Sequence, residues 1–122
     1  MFLAGRTPAL ETSDADFAAI VRRLERVGYT AHKGPRIQRL REIGAWRLEF
    51  PAEDGQLRQI HVQCMREVDR KGRQHLAWYA HTEPAGWGLR HLWAALTDRV
   101  SYQHGARMLR EQLAGLRLAR AA

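Results

Sequence analysis

The sequence predicts an α+β domain made of an N-terminal helix, a three-stranded antiparallel sheet and a C-terminal helix or helix pair, with a second short helix near residue 36 as an option. Three observations predict it. Apolar residues near both ends recur at the 3.6 spacing of a one-sided helix, those between 45 and 81 recur at spacing two, and Gly, Pro and Asp punctuate the changes of period. The chain has 122 residues, 45% of them hydrophobic and 27% charged, which suits one globular domain over residues 1–122.

Residues 1–11 hold no sustained period and include Pro8, so they are expected to form an extended arm. Thr12, Ser13, Asp14 and Asp16 then offer N-cap candidates and early acids. Phe17, Ile20, Val21, Leu24 and Val27 follow on one helical face, and Gly28 ends the run. Arg22, Arg23 and Arg26 stand opposite that stripe, on a face expected to be wet. In residues 36–43, Ile37, Leu40 and Ile43 are three apart, between Gly34-Pro35 and Gly44. Proline fits a first helical turn and glycine a helix end, so a short helix is expected there, with a strand as the alternative.

From Ala45 the period is two: Trp46, Leu48 and Phe50 face one way, Arg47 and Glu49 the other. Residues 51–55 have turn chemistry, after which Ile60, Val62 and Cys64 alternate with Gln59, His61 and Gln63. A charged loop over 66–73 leads to a third run. Here Leu76, Trp78 and Ala80 share one face, and His75, Tyr79 and His81 the other. A sheet with one apolar face needs helices to cover it.

Leu89, Leu92, Trp93, Leu96 and Val100 form the next helical stripe. Continued at about 100° per residue, that stripe would miss Leu109, Leu113 and Leu116, so a break is expected, with Ser101 as a cap and Gly105 as a hinge. The last element is expected within 106–120. Leu109, Leu113 and Leu116 would then need another surface, and a two-fold pair of these helices, hence a homodimer, is the expectation.

The α-β-β-β-α order over about residues 14–100 resembles the double-stranded-RNA-binding fold and the small messenger-RNA-cleaving toxins related to it. Val27-Gly28-Tyr29 is similar to the Gly-aromatic step that ends the first helix of those toxins. Lys33-Gly34-Pro35-Arg36 stands where they carry a catalytic histidine, which this chain lacks. The Lys-rich start of the second helix typical of double-stranded-RNA binders is also absent. The resemblance is one of topology, and topology alone does not imply function.

Charge is the main functional signal. Twenty Lys and Arg against thirteen Asp and Glu give +7 and a pI near 10.7, with the excess in the second half. Such a balance is the footprint of proteins that meet phosphate backbones. Eighteen of the twenty bases are arginine, suited to bidentate phosphate contact and to stacking. Two groups of residues are candidates for contact with DNA or RNA. Arg70, Lys71 and Arg73 surround Gly72 in the hairpin loop, and Arg47, His61, Tyr79 and His81 share the polar sheet face. Each group also has a plain structural reading, as a solvated hairpin tip and as the wet face of an antiparallel sheet.

Other chemistry is poorly represented. The lone Cys64 excludes an internal disulfide and a Cys-rich zinc site. His81-Thr82-Glu83 lacks the downstream Pro-Cys-x-x-Cys of zinc deaminases, and His91 and His104 stand apart without a third ligand. No phosphate-binding loop, dinucleotide fingerprint or nucleophile elbow occurs, so no cofactor and no metal are expected. A regulatory or accessory nucleic-acid-binding protein is the leading expectation. A protein-interaction module anchored by Trp87, Trp93 and the leucine stripe is the alternative, followed by a metal-independent ribonuclease using His61, Tyr79 and His81. No apolar run exceeds five residues, the length of those at 17–21 and 92–96, and the start has no signal-peptide plan, so a cytoplasmic, membrane-free protein is expected.

Overall fold

The computed structural model describes residues 8–27, 30–33, 42–82, 88–97 and 100–115. In chain order they form β1 (Leu10–Thr12), a single 3-10 turn (Asp14–Asp16), α1 (Phe17–Val27), β2 (Thr30–Lys33), β3 (Glu42–Pro51), β4 (Leu57–Val68), β5 (Gln74–Thr82), α2 (Leu89–Thr97) and α3 (Tyr102–Ala114). The α+β class holds. The sheet, however, has five strands, in the order β1-β5-β4-β3-β2, and every neighbouring pair is antiparallel.

The three predicted strands are the centre of that sheet, and the two strands absent from the prediction are its edges. At three and four residues, β1 and β2 are too short to show a period in sequence. Pairing decides them: Leu10 lies opposite Trp78, and Ala31 opposite Leu48. Between them α1 carries the chain across the sheet. Its eleven residues span about 16 Å, comparable with the roughly 19 Å width of five strands.

Two sequence expectations are corrected at their ends. Glu42 and Ile43 belong to β3, so a short helix does not extend to residue 43; residues 34–41 lie outside the described residues. Glu42 pairs with Met65 across a bulge next to Gly44, and a Cβ on Gly44 would stand 2.5 Å from the Trp46 ring. The indole folds back over the space that glycine leaves. The loop expected over 66–73 is also shorter, because Arg66, Glu67 and Val68 continue β4 opposite Leu76, His75 and Gln74.

The helices join one face of the sheet. Trp46, Leu48, Phe50, Ile60, Val62, Cys64, Leu76 and Trp78 form one buried cluster with Ile20, Leu24 and Val27 of α1, Leu92, Ala95 and Leu96 of α2, and Ala106, Leu109 and Leu113 of α3. At its centre Trp78 stacks on Trp46 and on Phe17, both with ring centroids 5.9 Å apart, and donates its indole N–H to Thr12 Oγ1 at 2.9 Å.

Arginines tie the helix ends together. Arg23 Nη1 of α1 donates to the Leu96 carbonyl near the end of α2 at 2.9 Å, and Arg110 of α3 donates to the carbonyls of Val27 (2.7 Å, through Nε) and Arg26 at the end of α1. The last carbonyls of a helix lack intrahelical partners and carry partial negative charge, so a cation there is doubly favoured. Arg23, expected on a wet face, is half-buried in this role.

The break between α2 and α3 falls where the phase change places it. Ser101 caps α3 by accepting from the His104 N–H at 3.2 Å. Gly105 is not a hinge: it lies inside α3, packed against Ala95 of α2. The chain turns back, and the stripe that was out of phase meets the same core.

Candidate nucleic-acid interface

Two hairpin turns set the geometry of the open sheet face. In the first, the Ala52 N–H donates to the Gln56 carbonyl at 2.9 Å, and Asp54 accepts from the Gln56 N–H and from Arg58 Nη2. In the second, the Asp69 N–H donates to the Arg73 carbonyl at 2.9 Å. The Asp69 carboxylate accepts from the backbone N–H groups of Lys71 (2.8 Å) and Arg73 (2.9 Å) and from Arg73 Nε (3.0 Å). Gly55 and Gly72 take positive φ, as such turns require. The backbone N–H of Arg73 contributes most to lowering the Asp69 pKa, which its guanidinium and the Lys71 N–H lower further.

Because a strand alternates strictly, each turn fixes the register of all that follows. Counting from the closing residues, Arg47 falls opposite His61 and His61 opposite His81. These three share one row, which β2 continues by placing His32 opposite Arg47. The His61 and His81 rings stack with centroids 4.8 Å apart and planes 11° from parallel, about the spacing of the strands. The Arg47 side chain is 45% exposed, with Nε 3.1 Å from Glu49 Oε1.

Tyr79 does not join this row. It lies opposite Gln63, is nearly buried, and donates its hydroxyl to Glu67 Oε2 at 2.6 Å. That end of the face is acidic and internally paired: His75 Nε2 lies 3.6 Å from Glu11 and 4.0 Å from Glu67, and Gln63 donates to Glu42. The constellation expected of a ribonuclease is therefore split, with the phenol held by a carboxylate away from the two imidazoles.

The loop residues are separate again. Arg70 and Lys71 are exposed at the far end of the β4–β5 hairpin, and Arg73, 72% exposed, is held by Asp69. Val68 is seven steps along β4 from His61, so the tip stands roughly 23 Å from the His61–His81 row. Several other arginines serve the fold, among them Arg58, buried and paired with the more exposed Asp54, and Arg66, paired with Asp14 at 3.0 Å.

Leu109 and Leu113, expected at a partner interface, are fully or nearly fully buried in this chain's own core; Leu116 and Trp87 lie outside the described residues. The need for a second surface is thus met within the chain at these two leucines. Among the described residues, no group of three or more His, Cys, Asp or Glu side chains is placed to hold a metal ion. The lone pairs of the two stacked imidazoles lie in nearly parallel planes and do not converge. No described helix is long and apolar enough to cross a membrane.

The sequence placed His61, His81 and Arg47 on the correct face through alternation. It left open which of Arg47 and Glu49, and which of Tyr79 and His81, lies opposite His61, and it missed the Glu11, Glu42 and Glu67 contacts, although the Asp-x-x-Gly-x turn at 69–73 carried the register signal. In comparisons with known protein families, with curated proteins and with solved structures, the chain has no match in any of the three.

Proposed function

We propose that this protein binds nucleic acid through phosphate contacts, with weak sequence specificity, as a regulatory or accessory factor rather than a catalyst. The observation that carries the reading is the row Arg47, His61 and His81, three potential cations in register on the sheet face opposite the helices, in a chain of net charge +7. Their polar edges are spaced by the strands rather than converged on one atom. Such spacing suits contact along a backbone better than attack on a single bond. Arg70 and Lys71 at the hairpin tip form a second, separate set of contacts.

A gel shift with mixed DNA and RNA at increasing salt tests this. Binding should weaken steeply with salt and similarly on every sequence. Neutralising Arg70 and Lys71 should reduce the slope of log affinity against log salt by about two on duplex, since each phosphate contact releases about 0.9 counterion. Adding Arg73→Gln should change little more, because Asp69 already holds that guanidinium. A second reading, a protein-interaction module, is favoured by one observation: Arg23, Arg58, Arg66, Arg73 and Arg110 all bond to groups of the chain itself. Absence of binding at about 50 mM salt, where phosphate contacts are strong, would decide for that reading.

A further inference from the structure

We infer that the outer faces of α1 and α3 form a second phosphate-contacting surface for nucleic acid, on the side of the molecule away from the Arg47–His61–His81 row, with Arg22, Arg26 and Arg107 as its contact residues. The inference rests on the reading of the protein as a nucleic-acid binder and adds a surface which that reading does not use.

Formal charge is divided unevenly between the two layers. The five strands together hold four Lys and Arg and four Glu, so they are balanced. The three helices hold six arginines and two glutamates. Pairing sharpens the contrast. On the strands and hairpins, Arg47, Arg58, Arg66 and Arg73 each meet a carboxylate. Among the described residues, no ion pair joins Arg22, Arg23, Arg26 or Arg107 to a carboxylate. Arg23 donates to the Leu96 carbonyl, and Arg107 Nη2 lies 3.0 Å from His104 Nδ1. A neutral acceptor satisfies a hydrogen bond and leaves the positive charge in place.

The fold gathers these arginines. The Tyr102 hydroxyl donates to the Arg23 carbonyl at 3.0 Å, and about two turns further along α3 Arg110 Nε donates to the Val27 carbonyl at 2.7 Å. The two helices therefore lie side by side in the same sense. Arg110 also donates to the Arg26 carbonyl, and Arg107 stands one turn before it on α3. Burial raises the Tyr102 pKa, while the charges of Arg110, Arg26 and Arg23 act to lower it, so guanidinium groups of both helices lie near one phenol. Leu24 and Val27 of α1 and Leu109 and Leu113 of α3 fill the core, which leaves Arg22, Arg26 and Arg107 exposed. Glu25 and Glu111 share these outer faces and are exposed as well, one to each helix.

Spacing selects the ligand. Arg22 and Arg26 are about 6 Å apart along α1, and Arg107 lies across a helix pair whose axes are typically about 8–10 Å apart. Guanidinium groups spread over such an exposed surface do not enclose one small anion. They match a run of phosphates, whose charges repeat about every 3.4 Å along each strand of a duplex. Each guanidinium can hold a phosphate through two parallel N–H donors.

The probe is a short fluorescent DNA duplex of mixed sequence. Arg22→Gln, Arg26→Gln and Arg107→Gln combined should reduce the slope of log affinity against log salt by about two to three, at about 0.9 counterion for each phosphate contact. Affinity near 0.1 M salt should fall on the order of tenfold or more. The three side chains are exposed, so the variant should melt like the wild type. An NMR titration of the wild type with the same duplex makes the test without a substitution: amide signals of residues 22–26 and 104–108 should shift. An unchanged salt slope in the folded variant, or shifts confined to the strands and the 69–73 hairpin, overturns the inference and leaves nucleic-acid binding intact. No binding by the wild type at about 50 mM salt overturns both.

Discussion

Gly105 of α3 meets Ala95 of α2 backbone to backbone: a Cβ on Gly105 would stand 2.9 Å from the Ala95 Cα and 3.0 Å from its nitrogen. Glycine inside a helix normally costs about 1 kcal/mol relative to alanine, so propensity alone favours Gly105→Ala. Packing opposes it, because the atoms in the way are backbone and cannot rotate aside. Overpacking costs about 1–3 kcal/mol before any helix shift, and the balance should fall on destabilisation. Urea unfolding should show a lower midpoint for Gly105→Ala. A raised midpoint would mean that the two helices have room to separate.

Trp78 has no exposed surface and stacks on Phe17 and Trp46. Trp78→Ala should cost about 3–5 kcal/mol, the range for emptying a large core site. Thr12→Val keeps the shape of the residue that accepts the indole N–H but removes the acceptor, and should cost about 1–3 kcal/mol. Denaturant unfolding followed by circular dichroism measures both. A loss under about 1 kcal/mol for Trp78→Ala, typical of surface positions, would contradict its central place.

Cys64 is fully buried between the sheet and the helices, and its desolvated thiol has a pKa raised to about 12. A thiolate is the reactive form, so the native protein at about pH 8 should resist a thiol-specific reagent. Complete labelling is expected once denaturant opens the core. Rapid stoichiometric labelling of the native chain would place Cys64 at the surface.

Asp69 contributes to stability in its ionised form, and its pKa is lowered from 3.8 in the fold. The sign follows from linkage. A group with a depressed native pKa stabilises the fold above its unfolded value, and that contribution fades as pH falls through the native one. Asp69→Ala should therefore be less stable than the wild type at neutral pH, with the two curves converging below about pH 3.8. Parallel curves down to the acid limit would show that the carboxylate's charge does not hold the turn. Thermal melts at a series of pH values make the comparison.

Much of the fold was legible because its signals are local. Phe17, Ile20, Leu24 and Val27 declare a helix by spacing, and Trp46 to Phe50, Ile60 to Cys64 and Leu76 to Ala80 declare strands with one apolar face. The same alternation put Arg47, His61 and His81 on the opposite face. The phase change after Leu96 marked the break that Ser101 caps.

Tertiary structure decided what local signals do not carry. Leu10–Thr12 and Thr30–Lys33 become strands because the edges of β5 and β3 offer unpaired backbone, a property of the assembled sheet. Leu109 and Leu113 looked like a surface for a second molecule, since a stripe shows only that a face is apolar and leaves open what covers it. Gly105 against Ala95 lets α3 pack closely on α2, so the chain buries them itself. Arg23 read as part of a wet face, yet the carbonyl it satisfies lies more than seventy residues away in sequence, as do those that Arg110 satisfies. By itself the sequence determined composition, period and face, because those depend on neighbours a few residues apart. Register, edge strands and the partners of each arginine depend on distant segments meeting, and only the folded chain brings them together.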